Sequence, residues 1–325
     1  MNLSILIVNW NSKDYLKRCL ESVRQTCGAL SPQIVVVDGG SYDGCSEMIA
    51  HEFPEVELLQ SKENIGFGRS NNLGCRKVTG EALMLLNPDT VLQPGAVFAL
   101  LKNLVHLPAA GLIGARLLNS DGSLQFASVH PLPTAWNVAI DSEFLRRRWW
   151  NRNGPAPGAQ AKEVEAVSGA CMMLRADTFR KLGGFDCRYF MYAEDMDLCC
   201  KIRRSGLKIY HATQAQVIHH GGCSSRTQSS KYSVVMIHEA VRLYIQSNQG
   251  RGYARLFLLL MALSAILRML VLLLAWLPAR GARRVSTVVV IAKWWIVLRW
   301  SLGLEGWAKA HFCYPDHTHS IPAVA

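Results

Sequence analysis

The sequence predicts an α/β fold with a mostly parallel central sheet and helices on both faces. Its first 120 residues alternate short apolar runs with longer stretches of mixed polarity, such as 13–25 and 68–77. Alternation of strand and helix is typical of a parallel sheet. Because the short runs are almost wholly apolar, with Ser4 and Glu57 as the exceptions, we expect both faces of each strand to be covered. The predicted strands are residues 3–8, 34–37, 56–59 and 82–86.

The composition excludes two classes of protein. Half of the 325 residues are hydrophobic and 18% are charged, whereas intrinsically disordered chains combine low hydrophobicity with high charge. Ten cysteines are too dilute for a small disulfide scaffold and form no CxxC pair, so we expect a reducing, cytosolic environment. The length suits one large α/β domain with an appendage, or two modest domains.

The net charge of +11 is concentrated at the end of the chain. Residues 246–325 hold nine Lys or Arg and two Asp or Glu, and they are also the most apolar part of the sequence. A basic and apolar segment indicates an anionic membrane surface. Residues 1–245 hold twenty-six Lys or Arg against twenty-two Asp or Glu, so we expect no nucleic-acid partner. The N-terminus has no basic region or cleavage site, and we expect no signal peptide.

Two apolar segments near the C-terminus predict membrane-associated helices. Residues 256–277 are long enough to span a bilayer but include Arg268, and residues 285–304 include Lys293 and Arg299. Each charge costs roughly 2.5–3.5 kcal/mol at the centre of a membrane helix. A short hairpin, or helices lying in the interface, therefore fits better than two clean spans. A buried pair of core helices is the alternative.

Residues 130–165 interrupt the regular pattern. Prolines and glycines mark a loop, and the run 146–150 reads Arg-Arg-Arg-Trp-Trp. This run is either a solvated surface turn or a membrane contact, because Arg and Trp both suit the headgroup zone. Regular structure is expected to resume at Val164 and to continue to about His220.

Polar residues follow two predicted strands, at the edge where parallel α/β sheets bind ligands. Residues 38–44 read Asp-Gly-Gly-Ser-Tyr-Asp-Gly, and an acidic residue before a glycine turn can accept hydrogen bonds from a ribose or a base. The other interpretation is an ordinary turn with Asp43 as the N-cap of the next helix. Residues 63–72 nearly match GxGxxG, but Asn71 stands where the third Gly belongs, which argues against a dinucleotide site.

The fourth predicted strand leads into Asn87-Pro88-Asp89. Two oxygen-bearing side chains two residues apart, held by a proline, can share a Mg²⁺ or Mn²⁺ ion that bridges to substrate phosphates. An ordinary Asn-Pro-Asp turn is the other interpretation.

A second acidic motif and a histidine pair lie further along the chain. Residues 190–197 place three carboxylates at the start of a predicted helix, where they could serve only the helix dipole. Asp195 follows an aromatic stretch that would desolvate it and make it a better base. His219 and His220 precede two glycines at a predicted strand end, so either is a candidate metal ligand or a structural histidine.

Nine motifs, in order over about residues 3–225, resemble the family 2 inverting glycosyltransferases of GT-A fold, and more closely their rhamnosyltransferase-like branch. Each motif is weak alone, but the ordered set is specific. They are VNWN (8–11), VVVDGGSYDG (35–44), ENIGFGRSNN (63–72), LLNPDT (85–90), DGSLQ (121–125), VSGACMMLR (167–175), LGGFD (182–186), YAEDMDLCCKIRRSG (192–206) and HHGG (219–222).

The resemblance implies nucleotide-sugar contacts and a catalytic base. Asp38 would hold the nucleotide base and ribose. Asp195 would be the general base, with Glu194 beside it in the catalytic pair. The other residues expected to contact the nucleotide sugar are Asn9, Gly40, Asn64, Gly66, Arg69, Asn72 and Asn87.

The resemblance also implies a divalent metal, Mg²⁺ or Mn²⁺. Asn87 and Asp89 correspond to the DxD motif that holds the metal on the diphosphate, and His219 is the third expected ligand, with His220 as the alternate. Asn87 replaces the first carboxylate of DxD, so Asp89 would carry more of the metal site. In the turn after Asp38, DNGS becomes DGGS, which removes a polar side chain at Gly39.

The implied function is transfer of a sugar from a nucleotide-diphosphate donor to a lipid-linked or glycan acceptor in cell-surface polysaccharide synthesis. The expected donor is dTDP-rhamnose, and the expected location is the cytoplasmic face of the inner membrane. Alternatives are a UDP-hexose donor and a non-catalytic membrane scaffold that keeps the fold. Ile296 stands where processive synthases carry the Gln of Gln-x-x-Arg-Trp, so we expect a single addition.

The expected domain organisation has two parts. Residues 1–245 form the catalytic domain, with a nucleotide-sugar half over residues 1–120 and an acceptor half over residues 121–245. Residues 246–325 form the membrane-associated helical region.

Overall fold

A computed structural model describes residues 1–142, 145–148, 150, 161–221, 230–277 and 280–312. Within these residues, nine strands form one central sheet: Leu3–Asn9 (β1), Gln33–Asp38 (β2), Val56–Gln60 (β3), Ala82–Leu86 (β4), Thr90–Leu92 (β5), Ala110–Leu118 (β6), Lys162–Val164 (β8), Cys171–Arg175 (β10) and Lys208–His219 (β11). Val129–His130 (β7) and Ala166–Val167 (β9) form a separate short pair.

The helices fall into two groups along the chain. Those of the first 205 residues are Lys13–Cys27 (α1), Cys45–Glu52 (α2), Phe67–Cys75 (α3), Ala96–His106 (α4), Ala135–Ala139 (α5), Ala176–Lys181 (α6) and Glu194–Arg204 (α7). Those that follow are Ser230–Gln249 (α8), Arg251–Trp276 (α9), Gly281–Ser301 (α10) and Ala308–Phe312 (α11).

The sheet has the strand order β3-β2-β1-β4-β10-β6-β11-β5, with β8 paired to β11. The four strands predicted from the sequence, β1 to β4, are adjacent and parallel to one another. β10 runs antiparallel between β4 and β6, and β6 pairs in parallel with β11. The predicted α/β fold is confirmed, and the carboxyl ends of β1, β2 and β4 lie at one edge of the sheet.

Both faces of the sheet are covered, as the apolar strands predict. Ile5 and Ile7 of β1 belong to one hydrophobic cluster, and Leu6 between them belongs to the other. α1 buries Leu16 and Leu20 in the first cluster, at the i, i+4 spacing that places side chains on one helix face.

The prediction of a continuous loop over residues 130–165 is wrong at α5. Thr134 caps this short helix, because its hydroxyl accepts from Asn137 N and the Asn137 side chain accepts from Thr134 N. Trp150 is buried, so this part of the basic-aromatic run packs against the domain. Trp149 and residues 151–160, which include Pro155 and Pro157, lie outside the described residues.

The C-terminal helices pack onto the first 205 residues through a third hydrophobic cluster. This cluster joins α5, Tyr189 and Ala193 to side chains of α8, α9 and α10. The boundary expected between residues 245 and 246 stays a prediction; it falls inside α8, which contributes side chains to this cluster.

α9 is the one helix among the described residues that is long and apolar enough to cross a membrane. Only 17% of its most apolar 18-residue stretch is buried. The alternative of a buried pair of core helices is therefore wrong, because most of this stretch faces outward. α10, the second predicted segment, is long enough at 21 residues but is not apolar enough to meet the same criterion.

Candidate active site

The ends of β1 and β2 form a rigid polar corner. Asn9 and Asp38 are register partners at the strand ends, and Asn9 Nδ2 donates to Asp38 Oδ1 at 2.9 Å. Ser41 donates to the same carboxylate from its backbone N at 2.9 Å and from its hydroxyl at 2.6 Å. Both Asn9 and Asp38 are buried. These bonds hold the glycine turn after β2 against the end of β1.

Two glycines allow neighbouring loops to approach this corner. Gly40 has φ +74°, and a Cβ there would lie 3.0 Å from the carbonyl oxygen of Lys62. Gly66 has φ +87°, and a Cβ there would overlap the carbonyl oxygen of Phe190. Asn64 Oδ1 accepts from Gly66 N at 2.9 Å and fixes the turn. The motif 63–66 is thereby pressed against the segment that leads to Glu194 and Asp195.

Arg69 and Asn72 are buried and bond backbone groups of neighbouring segments. Asn72 is fully buried and bonds the backbone of Phe185 in both directions, from Nδ2 at 2.8 Å and to Oδ1 at 2.9 Å. Arg69 is buried and donates to the carbonyl oxygens of Cys187 and Ile65. Both side chains therefore position the segment 185–187, and their expected contacts with the nucleotide sugar stay predictions.

Asp89 and His219 lie together at the sheet edge. The antiparallel pairing of β11 with β5 places His219 opposite Thr90, and His219 Nε2 lies 3.3 Å from Asp89 Oδ1. His220 turns away, since its Nδ1 lies 2.7 Å from the hydroxyl of Ser120. His219 is therefore the histidine whose side chain faces the Asp89 carboxylate.

Gln125 fixes the tautomer of His219. Gln125 Nε2 donates to Asn119 Oδ1 and to the backbone carbonyl of His219, at 3.1 and 3.4 Å, which orients the amide. Its Oε1 then faces His219 Nδ1 at 2.8 Å, so Nδ1 carries the proton of the neutral ring. The lone pair of Nε2 is left facing Asp89, which is repulsive unless a proton or a cation lies between them.

Asn87 completes a set of groups that suits a divalent metal. Its Oδ1 is buried and has no hydrogen-bond partner. No cluster of three His, Cys, Asp or Glu side chains forms a metal site among the described residues. Mg²⁺-type ions need only one or two carboxylates when substrate phosphates and water supply the other ligands. The unpartnered Asn87 oxygen and the Asp89–His219 pair therefore fit a metal carried with a diphosphate.

Asp195 is presented by a strained turn. Tyr192 and Ala193 both have left-handed backbones, with φ of 70° and 60°, which is costly for residues other than Gly. α7 begins directly after this turn, and Asp195 lies in its first turn. Asp195 Oδ2 accepts from Gly169 N at 2.9 Å, and Ala170 O accepts from Asn87 N at 2.9 Å. The dipeptide Gly169-Ala170 thus links Asp195 to the turn formed by residues 87–89.

Glu194 differs from Asp195 in environment. It is buried, its Oε2 has no hydrogen-bond partner, and burial together with the nearby Asp195 carboxylate raises its pKa to about 8. The raised pKa favours the protonated form of Glu194, whereas Asp195 is partly exposed and can meet a substrate. This arrangement favours Asp195 as the base and gives Glu194 a supporting role.

The sequence interpretation missed two positioning groups. Gln125 lies in the motif DGSLQ and the Gly169 N–H lies in VSGACMMLR, so both motifs were recognised without a role for these residues. The sequence signal that could have identified these two residues is their position inside the ordered family motifs. Their contacts join distant segments, 94 residues apart for Gln125 and His219 and 26 residues apart for Gly169 and Asp195.

A sequence profile decides the family. The profile described as Glycosyl transferase family 2 matches residues 4–183, more than half of the chain. The chain belongs to glycosyl transferase family 2. The Asp38 corner and Asn87-Pro88-Asp89 lie inside the matched region, whereas Asp195 and His219 follow it.

Named relatives place this family 2 chain near rhamnosyltransferases. The N-acetylglucosaminyl-diphospho-decaprenol L-rhamnosyltransferase of Mycobacterium tuberculosis is 28% identical over 236 residues, covering 67% of this chain and 76% of the relative. Rhamnosyltransferase WbbL of Escherichia coli is 23% identical over 238 residues, covering 70% and 86%. The low-salt glycan biosynthesis hexosyltransferase Agl10 of Haloferax volcanii is 26% identical, covering 72% of each chain.

Solved structures share the fold. The mannosyltransferase PcManGT of Pyrobaculum calidifontis, in complex with GDP-Man and Mn²⁺, has a TM-score of 0.60 at 13% identity, covering 93% of this chain and 86% of its own. GalNAc-T7, solved with UDP, GalNAc and Mn²⁺, has a TM-score of 0.53 at 17% identity, covering 67% of this chain and only 44% of its own. The predicted GT-A fold is confirmed, and this family 2 member is a glycosyltransferase.

Proposed function

We propose that this glycosyltransferase moves rhamnose from dTDP-rhamnose to a lipid-linked acceptor, with inversion at the anomeric carbon. The observation that carries the proposal is the shared dipeptide at the site: Gly169 N donates to Asp195 while Ala170 O accepts from Asn87. A donor diphosphate held at Asn87 and Asp89 would therefore lie close to the candidate base.

Asp195 is the proposed general base. It takes the proton of an acceptor hydroxyl while that oxygen attacks the anomeric carbon from the face opposite the diphosphate. The sugar passes through an oxocarbenium-like state of the kind glycosidases use, and a single displacement without a covalent intermediate inverts the configuration. The Gly169 N–H holds the carboxylate in place, and protonated Glu194 adds no second negative charge beside it.

Asn87, Asp89 and His219 are the residues proposed to hold a divalent metal, Mg²⁺ or Mn²⁺. Such a cation, when bound, would neutralise the charge that develops on the departing diphosphate. Asp38, buried at the corner of β1 and β2, is proposed to serve the nucleoside end, with Asn9 and the glycine turn around it.

The acceptor class is proposed from the relatives and from the apolar helix. The mycobacterial relative is named for an N-acetylglucosaminyl-diphospho-decaprenol acceptor, so we propose a polyprenyl-diphosphate sugar for this chain. The apolar, outward-facing α9 supports attachment to the cytoplasmic face of the inner membrane. Enzyme and acceptor on one surface would meet at a raised effective concentration.

A single sugar addition is proposed because Arg299-Trp300 does not serve a substrate. Arg299 donates to Glu305 at 2.8 Å, and Trp300 is buried with its indole donating to Glu239 at 2.9 Å. Both side chains therefore hold the helical region together. A UDP-hexose is the second candidate for the donor, and the name of the Haloferax hexosyltransferase supports its hexose part.

Transfer to a defined acceptor tests the proposal. The purified chain is incubated with Mn²⁺, polyprenyl-diphosphate-linked N-acetylglucosamine, and one of four donors: dTDP-rhamnose, UDP-glucose, UDP-galactose or GDP-mannose. We expect a product only with dTDP-rhamnose. In that product the anomeric configuration of rhamnose, determined by NMR, should be opposite to that in the donor. Transfer from a UDP-hexose would show that dTDP-rhamnose is not the donor. Retention of the anomeric configuration would refute the single displacement.

Asp195→Asn is the matched variant in this assay. It should bind the donor as the wild type does and form product at least ~100-fold more slowly, because the proton acceptor is lost. Absence of turnover with any donor, in a folded wild-type chain, would favour the scaffold alternative.

A further inference from the structure

The outward face of α9 is a continuous apolar strip. It is formed by leucine, isoleucine and valine at the positions expected for one side of a helix, and it extends from Leu259 to Leu277, about 27 Å. The exposed members are Leu259, Leu263, Ile266, Leu267, Leu270, Val271, Leu273, Leu274 and Leu277, the last exposed to 72%. This is far more exposed apolar surface than a soluble monomer usually leaves to water.

The middle of α9 is tied to the water-exposed part of the chain. Ser264 donates to the carbonyl oxygen of Ala139 at 2.6 Å, and Arg268 donates to that of Asp141 at 2.6 Å. Asp141 also forms an ion pair with Arg146 at 3.1 Å, and both of these side chains are well exposed. If α9 crossed a bilayer, this solvated ion pair would be carried to the hydrocarbon centre, where charges are costly.

Cations flank the strip at both ends. Arg255 is exposed one turn before Leu259, and Arg280 and Arg284 are exposed at the connection to α10. Arg284 lies over the ring of Trp276 at 4.1 Å. A hairpin pushed tip-first into one leaflet would place Arg280 and Arg284 deep in hydrocarbon, so this orientation is disfavoured as well.

We infer that α9 lies along the membrane surface, with its apolar strip in the acyl boundary and its flanking arginines among anionic headgroups. Such helices bury an apolar face roughly 5–10 Å into the boundary and are drawn there by basic residues. This inference rests on the proposed membrane location and specifies how the chain attaches to the membrane. The chain would attach to one leaflet, and both ends of α9 would stay on the side of the catalytic domain.

A cysteine at the tip of the hairpin distinguishes three orientations. Ala282→Cys, next to Arg280 and Arg284, is expressed in Escherichia coli, and sealed vesicles of both orientations are treated with a membrane-impermeant maleimide. Ala109→Cys, exposed on the catalytic domain, marks the domain's side, and the wild-type chain supplies the background of native cysteines. We expect both introduced cysteines to react from the same side. Reaction of Ala282→Cys from the opposite side would establish a span, and protection from both sides would establish tip-first insertion; either result overturns the inference.

Flotation of the purified chain with vesicles tests the lipid chemistry. Binding should be about 10-fold or more stronger to phosphatidylcholine containing about one-third phosphatidylglycerol than to phosphatidylcholine alone. Leu274→Glu should weaken binding at least ~10-fold, because a leucine side chain leaves the acyl boundary. Val105→Glu, at a similarly exposed apolar residue on α4, is the matched control and should bind as the wild type does. Equal binding of Leu274→Glu and wild type would refute the surface.

Donor binding keeps this test separate from the proposed function. Leu274→Glu lies outside the active site and should keep the metal-dependent thermal shift with donor in solution. If Leu274→Glu loses vesicle binding and keeps donor binding, the membrane surface on α9 is supported independently of the proposed function. If the wild type binds vesicles but responds to no donor, the membrane surface is supported and the proposed donor chemistry is refuted.

Discussion

Replacement of Gln125 should weaken metal binding without touching a metal ligand. In Gln125→Leu, the Nδ1–H of His219 loses its 2.8 Å acceptor, which costs about 0.5–1.5 kcal/mol for the tautomer that can bind a metal. The other tautomer gains a donor at Nε2, which can bond Asp89 across the existing 3.3 Å. The two effects add in the same direction, because both favour the ring form that occupies the metal position with a proton.

The expected loss is about 10–100-fold in Mn²⁺ affinity, the usual effect of removing the partner that orients a ligating histidine. This corresponds to about 1.4–2.7 kcal/mol. Free Mn²⁺ is measured by electron paramagnetic resonance while the ion is titrated into protein with a nucleoside diphosphate. Gln125→Glu keeps an acceptor oxygen toward Nδ1 and should lose less than Gln125→Leu does.

Gln214→Leu is the matched control, because Gln214 is exposed on β11, the strand that carries His219. It should bind Mn²⁺ as the wild type does. If Gln125→Leu remains folded, as judged by its melting temperature, and keeps wild-type Mn²⁺ affinity, the orienting role of Gln125 is refuted.

Three further predictions concern the turn and the acidic pair. Gly66→Ala should lower the free energy of unfolding by about 2–4 kcal/mol in urea titrations, because the new Cβ meets the Phe190 carbonyl oxygen. Gly95→Ala is the control: Gly95 has φ +80° and open space around it, so this variant should lose only about 1 kcal/mol. Equal losses in the two variants would contradict the close approach of Gly66 to Phe190. Glu194 has a folded-state pKa of about 8 against 4.5 ordinarily, so ionisation of the unfolded chain should reduce stability as pH rises from about 4.5 to about 8. Melting temperatures should therefore fall more across this range in the wild type than in Glu194→Gln, and parallel pH profiles would refute the raised pKa. Asp195→Asn should keep donor binding and lose at least ~100-fold in turnover; near-wild-type turnover would place the base elsewhere.

The fold and the order of the motifs were readable from the sequence. Four largely apolar runs predicted β1 to β4, because side chains buried on both faces leave few polar positions in a strand. The strand ends then indicated where Asp38 and Asp89 would lie. The antiparallel β10 and the pairing of β11 with β5 depend on contacts between distant segments, and no local pattern shows them.

Parts of the candidate site could not be read, for physical reasons. Arg69 and Asn72 bond backbone groups 118 and 113 residues away, and no local pattern shows contacts between such distant segments. The left-handed turn at Tyr192 and Ala193 contains no glycine, the residue that would have predicted a left-handed backbone there. The assignments of Asp38, Asp89, His219 and Asp195 stay predictions, with geometry that suits their roles.

The most direct measurement is the thermal shift of the purified chain with nucleotide sugars, with and without Mn²⁺. One donor should stabilise the wild type only when metal is present. That stabilisation should be lost in Asp89→Ala and kept in Asp195→Asn, since Asp89 is proposed to hold the metal and Asp195 to act only on the acceptor. Equal stabilisation of Asp89→Ala and wild type by the donor and Mn²⁺ would contradict the metal site, and no response to any donor would contradict the proposed chemistry as a whole.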